Sequence, residues 1–547
     1  MIPLLLIPLL LHNSALALQE DIDYWNDIGR LSINEKLQSD IGKVLLKEQK
    51  PPRNVIVFIG DGMGIATVTA ARIARNQARS AVNTGQPFFF ETFPFSGHVK
   101  TSSLDTHTTD SAASAVAIFS GRKVEQKTLG RKPGNGNSCE NGDKAHIRDG
   151  VADLSIHKGV SVGFATTARI TDATPAALYA KDVHRGMEYD SSRQINDTSC
   201  VDIAAQIISH PASHFSVLFG GGEALFMPES EGGNRTDNRN LKEEWKTLRS
   251  TEGKRMVITN TEQLSTTTHE KNSKVLGLFS PLDFPYYLDQ LLSNEKSTPR
   301  LYELATKALQ ILQSQSDSKG YFLMIEGASI DKSEHGNLFH HATEEMNEFD
   351  LAIEKISALV SDDTLILVTA DHAHALTIPG YLNKTSSIFD RDGNVSSIFF
   401  ATGPGFGDGD RMNYTTEEAG DPMFAQPSAI YKGSGYHGAE DVGIWAKGPF
   451  AWLFSGGMEN TQIAYNIKYL MCLDDNEENI CDRRRELEEQ RRREIFDRYD
   501  ADRSIISTQT TFALLTTLCI ALLLLSFILL FLLIRKYQQR SSIANKA

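Results

Sequence analysis

Basic residues are in short supply: 55 Lys and Arg stand against 69 Asp and Glu in 547 residues, a formal net charge of −14. A nucleic-acid backbone is thereby excluded as the main partner, because such binding rests on surplus Lys and Arg that displace counterions. An anionic small molecule would have to meet a local positive site. Cysteine is scarce as well, with 5 in the chain, too few for a small disulfide-built scaffold. The 41% hydrophobic content over this length supports a large buried core instead. No internal repeat is found. GDGMG at 60–64 lacks both the G-x-G-x-x-G spacing of a dinucleotide loop and the Lys of a P-loop, which argues against a nucleotide site there.

What is present begins with export signals. Residues 1–17, MIPLLLIPLLLHNSALA, form an apolar run without Lys or Arg that ends in the small-x-small pattern Ala15-Leu16-Ala17. They read as a signal peptide cleaved after Ala17. Cys139, Cys200, Cys472 and Cys481 precede the last hydrophobic run, and an even number in an exported chain predicts two disulfides. Asn196, Asn234, Asn383, Asn394 and Asn413 each open an N-x-S/T acceptor tripeptide, expected on an exported surface.

Residues 511–534 are uncharged, mostly apolar and long enough to span a bilayer. Arg535, Lys536 and Arg540 follow within a polar tail, 535–547. A glycolipid-anchor signal normally stops in its hydrophobic tail, so this flank favours a single type I span at the plasma membrane with the large domain outside. Residues 482–510 carry alternating blocks of Arg and acidic residues, as expected of a solvated helical stalk.

Between these ends, β-branched runs that finish in Gly or Asp alternate with helical stretches: NVIVFIGDG from 54, VSVGFATT from 160, FSVLFGGG from 215, YFLMIEG from 321 and TLILVTADH from 364. The alternation predicts an α/β fold, a central mostly parallel sheet flanked by helices on both faces. Ligands of such sheets sit beyond the carboxyl ends of the strands. That places Asp61, Glu326, Asp371 and His372 at a common edge. Residues 377–435, rich in Gly, Asn, Ser and Asp, read as a surface insertion subdomain.

Taken singly, the polar motifs are ambiguous. In IEGASIDKSEHGN (325–337), Asp331 and His335 are four apart and share one face if helical, which suits a common metal but equally a solvated surface pair. VTADHAHA (368–375) runs a hydrophobic strand into Asp371, His372 and His374, fitting a zinc-type donor set or a simple strand cap. In DTHTTDSAASAVAIFSG (105–121) an Ala-rich helix starts near Asp110 and stops at Gly121, with Ser111 in its first turn. Free backbone N–H groups there favour a serine alkoxide and a phosphoryl group, although Asp110 and Ser111 also fit plain capping residues.

Together, GDGMG, TTDSAASAVA, DATPAA, EGASIDKSEH and TADHAHA stand in the order and at the separations that resemble the alkaline phosphatase family, over residues 50–475. GYHGAEDVGIWAKGP at 435–449 adds His437. The resemblance implies a catalytic domain over 18–481 that hydrolyses phosphate monoesters, with Ser111 as nucleophile and a phosphoseryl intermediate. It implies two Zn2+ and one Mg2+: one zinc on Asp331, His335 and His437, the other on Asp61, Asp371 and His372, and magnesium on Asp61, Thr174 and Glu326. Arg185 looks like the family's phosphate clamp, with Asp172 and Lys332 supporting the site. Asp172 and Lys332 are similar to the common bacterial pattern, where vertebrate members carry histidines, so a different magnesium dependence is expected. Cys139 with Cys200 and Cys472 with Cys481 match the pairing of animal members, and a homodimer is implied.

Three other readings compete. A phosphodiesterase of the same superfamily would typically carry threonine as nucleophile, and a sulfatase would need C/S-x-P-x-R where residues 110–114 read DSAAS. A catalytically silent, zinc-stabilised cell-surface protein would not need Ser111 and Arg185.

Overall fold

A computed structural model describes residues 21–544 except 80–84, 135–137, 140–141, 193–198, 249–252, 269, 316–318, 407–412 and 478. The signal-peptide segment 1–17 and Asn196 lie outside the described residues. The chain divides into two units, residues 1–479 and 480–547.

The first unit is built on a ten-stranded sheet. In chain order its strands are β1 Asn54–Gly60, β2 Phe95–Lys100, β3 Ser161–Arg169, β4 Val217–Gly221, β5 Arg255–Ile258, β6 Lys274–Leu278, β7 Tyr321–Gly327, β8 Thr364–Thr369, β9 Val442–Lys447 and β10 Gly456–Glu459. Across the sheet they lie in the order β10-β2-β9-β8-β1-β7-β3-β4-β6-β5. Only β9 runs against its neighbours, β2 and β8; the other pairs are parallel. Every residue of β1, β7 and β8 is buried. Their unbroken apolar sequences follow from that, since a parallel strand covered on both faces has no solvent side to mark with polar residues.

The cover comes from two helix groups. Helices α2 (Ile65–Arg79), α4 (Leu301–Gln315) and α6 (Phe339–Leu359) pack together against β1, β3 and β7. Helices α3 (Ser111–Ser120) and α7 (Thr461–Met471) pack together, with α1 (Ile22–Gln38) laid on α7. The short helix α5 (Ser329–His335) leads from β7 into α6.

Register brings the site to one edge. Ile59 of β1 pairs with Glu326 of β7 and with Thr369 of β8, while Thr166 of β3 pairs with Glu326. Four neighbouring strands thus finish at nearly the same height, and the residues just beyond them are forced together.

Within 377–435 the chain forms its own small sheet, Leu376–Thr377, Phe399–Gly403 and Ser428–Tyr431, beside a hairpin of Arg391–Asp392 and Val395–Ser396. Ile388, Ile398, Phe400 and Tyr414 are buried beneath it. Asn383, Asn394 and Asn413 are exposed there, and Asn234 is half-buried.

Cys139 and Cys200 are joined, with Cα atoms 5.1 Å apart. Cys472 and Cys481 are each disulfide-bonded. Cys519 is free.

The second unit is one helix, α8, Ile480–Ala544. Within its segment Gln509–Gln538 an 18-residue stretch reaches a mean hydropathy of 3.1, and the segment is long and apolar enough to cross a membrane. The helix is unbroken through the charged residues before that segment, as no Pro or Gly interrupts Ile480–Ala544.

Candidate active site

Asp61 leaves β1 on a turn that only glycine accommodates. Gly62 has φ +72°, and a Cβ there would meet His374 Cδ2 at 2.9 Å and the Asp331 Cα at 3.0 Å. The Gly62 amide donates to Asp371 Oδ1 at 3.2 Å, tying the end of β1 to the end of β8. Asp371 Oδ1 also accepts from the His372 amide at 2.9 Å.

Ser111 is the first residue of α3 and is almost fully buried. Its N-cap, Asp110, accepts from the amides of Ala112 and Ala113 at 3.3 and 3.2 Å. The capping reading and the nucleophile reading are compatible, because Asp110 holds the helix start while the Ser111 hydroxyl points elsewhere. Ser111 Oγ lies 3.2 Å from His372 Nε2, and that nitrogen is 3.3 Å from both Asp61 Oδ1 and Asp371 Oδ2.

A second group adjoins the first. Asp331 and His335, on α5, approach within 3.3 Å. His437 Nε2 is 3.3 Å from His335 Nε2 and 3.5 Å from Asp331 Oδ1. His372 and His437 stack with ring centroids 3.5 Å apart, so the two groups share a wall. The outer nitrogens are oriented by the backbone: His335 Nδ1 faces the Gly435 carbonyl at 2.6 Å, and His437 Nδ1 faces that of Thr109 at 2.9 Å. Donor atoms of Asp331, His372, His374 and His437, and separately of Asp61, Asp371 and His372, lie close enough to hold one ion each.

His374 belongs to the motif VTADHAHA, where the sequence offers it within a zinc-type donor set but the family resemblance assigns it no ion. The bridge of Ala373–His374 with His437–Gly438 sets His374 opposite His437, and its Nε2 reaches Asp331 Oδ1 at 2.6 Å. The signal for it is the alternation D-H-A-H, which in an extended chain turns both imidazoles to one side.

Glu326 accepts a short hydrogen bond from Thr166 Oγ1, and the Thr174 hydroxyl lies beside it. Arg185 is held from both sides: Nη2 donates to Asp172 Oδ1 at 2.9 Å and Nη1 to Asp110 Oδ2 at 3.3 Å. Lys332 Nζ lies 3.5 Å from Asp172 Oδ2 and contacts Asp283.

The electrostatics are those of a cation cage. Burial first, and then repulsion from Asp331, Asp371 and Glu326, pushes the Asp61 carboxyl well above its ordinary range. Burial lifts Glu326 to about 8 and Asp371 to about 7. Burial works against ionisation of Asp331 too, but His335, His374 and His437 overcome it and hold that carboxyl well below the usual range. Burial lowers His372 and His437 and brings His374 to about 4, so these imidazoles are neutral donors at working pH. Asp61 Oδ1, Asp371 Oδ2 and His372 Nδ1 are buried with no hydrogen-bond partner. Crowded carboxylates, neutral imidazoles and unsatisfied oxygens fit metal ions, which repay the desolvation of such groups.

Comparison with known proteins agrees with this geometry. The family model for alkaline phosphatase matches residues 52–473. Alkaline phosphatase 4 of Drosophila melanogaster is 32% identical over 496 residues, covering 83% of this chain and 82% of its own. Alkaline phosphatase of Gadus morhua is 32% identical over 477 residues, covering 83% of this chain and 98% of its own. The crystal structure of Thermus thermophilus alkaline phosphatase superposes with a TM-score of 0.58 at 20% identity, covering 80% of this chain and 95% of its own, and supports the fold alone. The chain belongs to the alkaline phosphatase family and is a metal-dependent phosphatase.

Proposed function

We propose that the protein hydrolyses phosphate monoesters to alcohol and inorganic phosphate through a phosphoseryl intermediate on Ser111. The observation that carries this reading is the 3.2 Å approach of Ser111 Oγ to His372 Nε2, inside the donor set of Asp61, Asp371 and His372. A cation held by that donor set would lie beside the serine, and a hydroxyl beside a cation is acidified.

Asp331, His335 and His437 would hold one Zn2+, with Asp331 steadied by His374; Asp61, Asp371 and His372 would hold a second. Asp61, Thr174 and Glu326 form an oxygen donor set suited to Mg2+. When bound, the ions neutralise the attacking and leaving oxygens of an in-line displacement and acidify the hydrolytic water.

The chain's own residues do the rest. Ser111 Oγ attacks phosphorus and the ester oxygen departs as the alcohol. Water then attacks the phosphoserine and releases phosphate, so two inversions leave the configuration retained. Through both steps the transferring group keeps negative charge on its equatorial oxygens. Arg185 supplies planar donors for two of them, and its anchors Asp110 and Asp172 fix the guanidinium before substrate arrives.

We also read the chain as a glycoprotein exported by a signal peptide, anchored by residues 511–534 as a type I membrane protein with the phosphatase unit outside, and assembled as a homodimer. The full-length protein in detergent should hydrolyse p-nitrophenyl phosphate, lose activity to chelator, and contain zinc and magnesium by elemental analysis. Ser111→Ala should abolish turnover while keeping the metals. Turnover of diesters in preference to monoesters, or undiminished activity in Ser111→Ala, would overturn the proposal.

A further inference from the structure

Asp283 lies in the loop after β6, far in sequence from every motif of the site, yet its carboxylate ends against Lys332. The loop is firmly seated: the Asp283 carbonyl accepts from Ser280 Oγ at 2.8 Å, and the next amide, of Phe284, donates to the Thr167 carbonyl at 3.0 Å. The carboxylate is gripped as well. Asp283 Oδ1 accepts from the Arg169 amide at 3.0 Å, and Oδ2 accepts a short hydrogen bond from Arg169 Nη1.

Arg169 in turn is clamped by Glu188, which accepts from Nε at 2.8 Å and Nη2 at 3.0 Å, and Nη2 reaches Asp172 Oδ2 at 3.2 Å. Thr171 Oγ1 adds a 2.6 Å hydrogen bond to Glu188. The result is a closed ring in which Arg169 and Lys332 alternate with Asp283 and Asp172, with Glu188 held on Arg169 and Arg185 on Asp172. Two cations meet two carboxylates beside the phosphate clamp, so the ring is neutral as a whole.

Lys332 is the ring's one ammonium. It contacts Asp283 more closely than it approaches Asp172, and it stands next to Asp331 in the chain. An ammonium on a flexible stem beside a phosphoryl site would turn towards a phosphate dianion unless another charge restrained it. Asp283, fixed at both oxygens by Arg169, is that restraint.

We propose that Asp283 is a positioning residue that holds Lys332 back from the phosphoryl group, and thereby keeps the affinity for product phosphate low enough for release. The inference rests on the phosphomonoesterase reading above. It assigns to a loop residue, outside the motifs, control over how much of the Lys332 charge the bound oxyanion feels.

Competitive inhibition by inorganic phosphate tests it on the full-length, metal-loaded protein. Asp283→Asn should lower the inhibition constant by about fivefold, the scale expected when one restraining charge is removed from the Lys332 ammonium. kcat should fall with KM, because product leaves more slowly, and kcat/KM should change less than either. The decisive arm repeats the substitution in a Lys332→Ala background, where the effect of Asp283→Asn on phosphate inhibition should vanish. Asp283→Ser, smaller and uncharged, carries the same expectation should Asp283→Asn not fold.

A phosphate constant that stays put, rises, or shifts equally with and without Lys332 overturns the proposal. Failure of the parent reading looks different: the wild-type protein itself would show neither monoester turnover nor phosphate inhibition.

Discussion

His374 Nε2 and Asp331 Oδ1 stand 2.6 Å apart, both buried, and Asp331 is also the carboxylate nearest His335 and His437. A hydrogen bond from a neighbouring imidazole to a would-be metal ligand fixes which oxygen lone pairs remain for the ion. His374→Ala should leave the fold intact but weaken zinc retention about 10- to 100-fold, the usual effect of losing such a support. Chelator competition followed by elemental analysis measures it. Excess zinc should restore most of the turnover; unchanged zinc affinity would mean that His374 only fills space.

Gly62 makes a sharper demand. A methyl group at φ +72° is strained, and it would press on His374 Cδ2 at 2.9 Å and on Asp331 Cβ at 3.1 Å. Gly62→Ala should therefore disturb both donor groups at once, with activity falling at least about tenfold while thermal stability drops only modestly. Activity assays beside a melting curve separate the two. A variant with wild-type kcat would show that the turn relaxes without moving Asp331.

Much of this site could be read from residue order. The apolar runs of β1, β7 and β8 each end in Asp or Glu, and parallel pairing with Ile59 opposite both Glu326 and Thr369 brings those ends together. Ser111 is legible as a helix start because Asp110 is a strong N-cap and Gly121, at φ +80°, a strong stop. The strands β2 and β9 are not. Phe95–Lys100 is largely exposed and has no continuous apolar run, and only tertiary pairing makes it a strand. Asp283 is invisible for a related reason. Its role depends on which side chain a loop delivers to Arg169 across the sheet edge, and nothing in FSPLDFP encodes that. Asp110, which the sequence marks as a cap alone, also anchors Arg185, since one carboxylate serves both ends of a short gap.

The disulfide between Cys139 and Cys200 closes a loop of sequence separation 61 and sits against Val183 and Met187. In the chain-entropy picture a cross-link of that span stabilises by about 4 kcal/mol. The loop includes Asp172 and Arg185, so opening it should be felt at the phosphate clamp. Cys139→Ser should lower the melting temperature and raise KM for monoesters more than it lowers kcat. Equal melting temperatures for variant and wild type under oxidising conditions would remove the argument.

Glu345 offers a test of pH dependence remote from the metal ligands. It lies on α6, buried, and accepts from the Tyr287 amide at 2.7 Å. Burial raises its pKa to about 8, the Tyr287 amide works against that, and the charges of Glu348, Glu344 and Asp289 add to it. His341, on the same helix, spends its Nε2 on Asp289, 3.0 Å away. The folded state thus prefers Glu345 protonated, whereas the unfolded chain ionises it near 4.3, about the ordinary glutamate value. A raised folded pKa means that its contribution to stability is fully present below that unfolded value and is lost as pH rises through about 8. Glu345→Gln keeps an acceptor for Tyr287 and removes the ionisation. Its melting temperature should exceed that of wild type at pH 9, and the gap should shrink steadily towards pH 5. A gap that is constant with pH would show that Glu345 does not titrate in the folded protein, and a gap that widens on acidification would reverse the sign of the argument.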